Sequence, residues 1–88
     1  INSAYYLRLR ANDKPGVLAG VTKILADRNI SIDAMLQKEP DDNETEADIV
    51  ILTHITVEKN VDAGIVEIEA LPAIVGKVVK IRMEELNK

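Results

Sequence analysis

From Ala4 to Ala11 the chain alternates: Tyr5, Leu7, Leu9 and Ala11 fall on one side, Tyr6, Arg8 and Arg10 on the other. This two-residue period is that of a half-buried strand. After Asp13 and Pro15 the period lengthens, and Val17, Leu18, Val21, Ile24 and Leu25 recur at helical spacing until Asp27, Arg28 and Asn29 close the segment. An amphipathic helix of three to four turns is expected there. Residues 30 to 37, ISIDAMLQ, alternate again, with Ile30, Ile32, Ala34 and Leu36 opposed to Ser31, Asp33, Met35 and Gln37.

The segment KEPDDNETEAD carries Pro40 and six carboxylates, and Ala47 is its only apolar side chain besides that proline. It reads as a solvated loop between two strands, and it lacks the glycine and glutamate spacing of an EF-hand calcium loop. DIVILTHIT, residues 48 to 56, is β-branched and apolar on both faces, as a central strand should be. From Thr56 the period turns helical, with Val61, Ile65, Ile68 and Leu71 in one stripe that Pro72 ends. KVVKIRMEE then alternates Val79, Ile81 and Met83 against Val78, Lys80, Arg82 and Glu84.

The order β-α-β-β-α-β predicts an α+β, ferredoxin-like sandwich, with a four-stranded antiparallel sheet and two helices on one face, because right-handed crossovers place both helices on the same side. The first and third strands become central. The other face is expected to show Tyr6, Arg8, Arg10, Lys80 and Arg82, with either Val50, Leu52 and His54 or Ile49, Ile51 and Thr53 from the third strand. A face so mixed is expected to be covered.

With 88 residues, 47% of them hydrophobic, the chain supports one small core and gains from a partner surface. Absence of cysteine removes disulfides, thiolate metal sites and cysteine nucleophiles, and favours an intracellular, cytoplasmic setting. The net charge of -4 and only two aromatics, both tyrosine, argue against a nucleic-acid partner. No segment approaches the roughly 20 apolar residues of a membrane span. The chain opens directly into a strand, and is expected to be a single domain, residues 1–88, cut from a longer enzyme.

No catalytic constellation is legible. His54, the one histidine, lies in a strand and reads as a satisfied or interface histidine before a ligand or pH-sensing group. Ser3 and Ser31 have no partner suggesting a triad, and Gly16 and Gly20 fit neither phosphate-binding fingerprint. The chemistry worth noting is NDKPGVLAG, residues 12 to 20, between the first strand and first helix. Asp13 is placed to cap the helix, Pro15 to occupy an early helical position, and Gly16 to let a ligand approach the backbone. Free amides at the positive end of a helix suit a carboxylate, and Asn12 and Asp13 add acceptors for an ammonium group. The same residues also make a sound helix start with no ligand.

The motif from Asp13 to Ala19, DKPGVLA, within this element order, resembles the ACT domain family, small-molecule sensors of amino-acid metabolism. The resemblance covers nearly the whole chain. Together with YYLRL, ISI, IVILTH and VVKIR, it is similar in particular to the C-terminal regulatory domain of the bacterial homoserine dehydrogenase family. That resemblance implies a non-catalytic domain binding an amino acid, L-threonine first, that inhibits an NAD(P)-dependent catalytic region outside these residues, with no cofactor or metal of its own. It implies a homodimer through a sheet edge, the second strand, with effector between the loop of one copy and the second strand of the other. Carried over by position, the ligand-facing residues are Asn12, Asp13, Gly16, Val17, Leu18, Ser31 and Ile32. Some serine-sensing relatives have histidine and asparagine where this chain has Ala11 and Ser31, so the effector stays open. A structural dimerisation module, or the regulatory domain of another amino-acid-pathway enzyme, remains the alternative. An acylphosphatase-type enzyme would want an arginine in the first loop. On this reading the isolated chain should show no NAD(P)-linked hydride transfer with any amino alcohol or aldehyde; turnover in a spectrophotometric assay would overturn it.

Overall fold

The computed structural model describes residues 2–84. Its elements are β1 (Asn2–Asn12), α1 (Val17–Asp27), β2 (Ile32–Lys38), β3 (Glu46–Thr53), β4 (Thr56–Val57), α2 (Glu58–Glu69) and β5 (Ile74–Met83). β1 is central, antiparallel to β3 on one side and to β5 on the other, and β2 completes the sheet beyond β3. The ferredoxin-like arrangement follows as expected from the strand periods. One addition is β4, which pairs Thr56 and Val57 with Ser3 and Asn2. Two intervening residues cannot carry the chain around to the other edge of β1, so β4 resumes the β3 ladder one residue out of step after His54 and Ile55. The helix expected from Thr56 therefore begins at Glu58.

The odd-numbered side chains of β1, Tyr5, Leu7, Leu9 and Ala11, are at most 1% exposed and pack with Ile49 and Ile51 of β3, Val21 and Leu25 of α1, and Val61 and Ile68 of α2. This settles the register of β3: Ile49, Ile51 and Thr53 face the helices, and Val50 and Leu52 face outward. Thr53 is buried because its hydroxyl accepts the Tyr5 amide at 3.0 Å. The helices approach at Gly64, which is buried. A methyl group there would lie 3.6 Å from Leu25 and 3.7 Å from Ile30, which are ordinary contacts. Arg28 of α1 and Glu67 of α2 form an ion pair across the same junction.

Two expectations about faces are corrected. Lys80 and Arg82 are not on the open face: Leu7 pairs with Lys80 and Tyr5 with Arg82, so both lie on the helix side of β5. Lys80 Nζ bonds Asp62 at 2.6 Å and Glu58 at 2.8 Å on α2, and these bonds, the Asp62 one foremost, raise its pKa. The open face receives Val79 and Ile81 instead, opposite Arg8 and Tyr6. In β2 the register shifts between Ile32 and Ala34, so the side chains change phase. Ile32 stands with Thr53 on the helix side, whereas Ala34 and Leu36 stand with Leu52 and Val50 on the open side.

Three substitutions test this packing by chemical denaturation. Leu7→Ala should destabilise by about 2–5 kcal/mol through a cavity in the centre of the core. Gly64→Ala should be neutral or stabilise by up to about 1 kcal/mol, since the space exists and alanine favours the helix. Lys80→Met should cost about 0.5–1 kcal/mol at neutral pH. A raised lysine pKa stabilises fully below the ordinary lysine value and loses that contribution as pH climbs through the raised one, so the difference from the parent should vanish in strong alkali.

Candidate functional site

Between β1 and α1 the backbone turns sharply. Asn12 donates its amide to Ala73 O at 2.8 Å, Asp13 to Thr45 O at 2.8 Å, and Lys14 to Asn12 O at 2.9 Å. These bonds fasten the loop to both neighbouring connections before the helix starts. Pro15 and Gly16 form a turn, and Gly16, at φ 88°, is the residue preceding α1. Two expectations give way here. Pro15 lies outside the helix, and Asp13 does not cap it: no side chain does. The loop instead reaches the helix through a left-handed residue, which glycine adopts without Cβ strain.

Among the described residues, the amides of Gly16, Leu18 and Ala19 have no protein acceptor, whereas Val17 reaches Lys14 O at 3.4 Å and Gly20 reaches Gly16 O at 3.0 Å. Three donors at a helix N-terminus thus point outward with the positive end of the dipole behind them. Two of the three residues, Gly16 and Leu18, border a depression of about 440 Å³ that takes in Asn12, Asp13, Gly16, Val17 and Leu18, the five loop positions singled out in the sequence. Its floor is apolar, from Ala11, Val17, Leu18 and Ile49. The Asp13 side chain is exposed and makes no ion pair among the described residues. The arrangement can take an anion on the amides, a cation on Asp13, and a short aliphatic group between them.

Ser31 and Ile32 are elsewhere. They line a separate hollow of about 530 Å³ with Thr22, Ala26 and Asn29, at the opposite end of β2. The seven residues of β2 rise about 20 Å, so one chain cannot bring the two sets together. Sequence reading missed Gln37, which lies at the loop end of β2 opposite Ile49 and lines the first depression. The signal was its place at the far end of a strand antiparallel to β3, visible only once the strands are paired. His54 is exposed, donates its amide to Ser31 O at 2.9 Å and has Nε2 3.6 Å from Asp33 Oδ1. Among the described residues there is no group of three or more metal-ligating side chains, and no helix long and apolar enough to cross a membrane.

A βαββαβ sandwich with uncommitted amides at its β1–α1 junction points to a regulatory domain of the ACT type. The family model for the ACT domain matches residues 5–73, and the chain belongs to that family. Over all 88 residues it is 72% identical to a homoserine dehydrogenase of Methylobacillus glycogenes, covering 21% of that protein. A homoserine dehydrogenase of Neisseria gonorrhoeae is 48% identical over 87 residues, 20% of its length. Among solved structures, the homoserine dehydrogenase from Thiobacillus denitrificans superposes with a TM-score of 0.88 at 59% identity, over 99% of this chain and 19% of that one. The chain thus spans about a fifth of the length of the relatives it matches, and corresponds to their ACT portion.

The left-handed Gly16 changes what a substitution there reports. A Cβ would meet nothing within 4 Å, yet the backbone would be strained. Gly16→Val should cost at least about 1–2 kcal/mol through the backbone alone, and Gly16→Asn clearly less. Urea midpoints of the two variants check this; equal midpoints for valine and glycine would contradict the left-handed turn.

Proposed function

We propose that this domain senses a free amino acid, L-threonine first among candidates, and regulates the NAD(P)-dependent homoserine dehydrogenase of which it is the C-terminal part. The observation that carries the reading is the pair of unbonded amides at Gly16 and Leu18, two residues that line a depression with Asp13 among its other lining residues. The α-carboxylate takes the amides, the ammonium group takes Asp13 and Asn12, and the side chain meets Val17 and Leu18. Gln37, which can both donate and accept, suits a side-chain hydroxyl. The fragment has no catalytic role. The reaction and its nicotinamide cofactor belong to the remaining four fifths of the enzyme, as the names of the relatives suggest.

The site is completed by a second copy. β2 and β5 are the free edges of the sheet, and β5 is the poorer template, since its register breaks opposite Arg8 and Arg10 around Gly76 at φ 73°. β2 is regular from Ala34 to Lys38. Antiparallel pairing of β2 with its counterpart places Ser31 and Ile32 of one copy at the loop of the other, closing the depression that each chain leaves open. The amino acid then sits between subunits, and its binding reports on their arrangement, which is how a ligand with unequal affinity for two states regulates a distant region.

Thermal-shift and calorimetric titrations of the chain against the twenty amino acids test the reading, because a ligand of the native state raises its melting temperature. Threonine should give the largest shift. Asp13→Asn should weaken binding roughly 10–100-fold, the worth of a hydrogen bond to a charged group, while leaving the unliganded melting temperature unchanged because Asp13 caps nothing. If no amino acid shifts the transition, the domain is a structural module and the sensor reading fails.

A further inference from the structure

We propose that the end of the sheet remote from the β1–α1 loop, built around Ile55, is where the catalytic region of the parent enzyme docks, and is the output surface of the effector site. This rests on the functional reading above. Asn2, Ser3 and Ala4 of β1, Ile55, and Met83 and Glu84 at the end of β5 surround a hollow of about 240 Å³. Ile55 is 56% exposed, and Val57, 41% exposed, lies opposite Asn2. The Ser3 hydroxyl donates to Met83 O at 3.0 Å, so it is already engaged, and Ala4, Ile55 and Met83 offer hydrocarbon.

Size and connectivity identify the occupant. The hollow falls below the roughly 300–1,000 Å³ of a small-molecule pocket, and suits side chains of another protein surface. Two exposed aliphatic side chains fall far short of the roughly 800 Å² per partner that a freely diffusing protein needs. A domain joined through the chain itself manages with less, because its effective concentration is already high. About four fifths of the length of the relatives lies outside the matched residues. On the C-terminal reading that length precedes β1, whose Asn2 forms one wall of the hollow. The catalytic region thus enters beside Ile55.

The same end of the sheet holds the start of β2. His54 donates its amide to Ser31 O at 2.9 Å, and its Nε2 stands 3.6 Å from Asp33 Oδ1. In the edge-paired dimer Ser31 and Ile32 border the effector held by the other copy, so a ligand that shifts them pulls on His54 and, one residue on, Ile55. The ladder along β1 breaks between Thr53 and Thr56, and β2 changes register between Ile32 and Ala34. Strands adjust at such breaks without giving up regular ladder bonds. The bond between His54 and Ser31 is the contact through which occupancy at β2 alters the pose of Ile55.

Full-length enzyme tests this as the parent, as Ile55→Asp, and as Val66→Asp, which puts the same charge at a side chain 67% exposed on α2. The readouts are calorimetric titration with L-threonine, inhibition of turnover by L-threonine, and hydrogen–deuterium exchange. Ile55→Asp should keep its basal turnover, still bind threonine, lose most of the inhibition at saturation, and show faster exchange in peptides of the catalytic region. Val66→Asp should match the parent. Ile55→Ala, which removes the contact without adding charge, should show the same changes to a smaller degree, and it decides the matter where the aspartate variant does not fold. Inhibition and exchange in Ile55→Asp equal to those of the parent overturn the docking surface, as does an equal effect in Val66→Asp. Unchanged exchange in the catalytic region with faster exchange at residues 85–88 gives the hollow to the end of this chain and overturns it too. Faster exchange with inhibition intact overturns the output role, and loss of threonine binding together with inhibition puts Ile55 in the effector site instead. A parent that neither binds nor answers threonine, but whose catalytic region is released by Ile55→Asp, overturns the sensor reading and the output role and leaves the docking surface standing.

Discussion

The placement of β1 between β3 and β5 governs this domain. From Tyr5 to Ala11 its odd side chains are buried to within 1% of completely, and its even ones look outward. Every other face assignment follows from that alternation through strand register. A one-residue slip would exchange Tyr5, Leu7 and Leu9 for Tyr6, Arg8 and Arg10 against the helices, exposing the core and burying two guanidinium groups. The register is thus fixed by the large difference between burying leucine and burying arginine.

The same strand delivers the loop of the candidate site. Asn12, its last residue, bonds the α2–β5 connection, and Asp13, the next, bonds the loop before β3. The chain then needs a left-handed residue to turn into α1, and Gly16 supplies it. Because the loop is held by its backbone, its side chains and three of its amides remain uncommitted. Fixed donors that need no reorganisation suit ligand capture, since little ordering is left to offset the contacts made on binding.

On the proposed reading, regulation depends on incompleteness. A depression lined by residues of one end of β2, and unable to reach Ser31 and Ile32 at the other, would become whole in the proposed edge-paired dimer, where a second strand runs the opposite way. Ligand affinity and subunit arrangement are then linked, as any ligand shared between two chains links them.

The element order, the buried side of β1, the apolar stripes of α1 and α2, and a strand-to-helix turn at DKPGVLA were legible in the sequence, because each depends on local period or local turn chemistry. What tertiary structure decided was everything that depends on a neighbour. The shift at Asp33 rotates Ile32 away from Ala34 and Leu36, and no alternation within β2 announces it, since an irregular step is defined only against β3. Lys80 and Arg82 were expected on the open face, but the pairing of β5 with β1 puts both on the helix side, where Glu58 and Asp62 of α2 meet Lys80. Gln37 joined the site only through the pairing of β2 with β3. Gly16 was recognised as a point of close approach, but its left-handed backbone came from the need to connect a fixed strand to a fixed helix in four residues. Period is a property of a segment, whereas register, face and turn angle belong to pairs of segments, and a chain read one residue after another contains only the first.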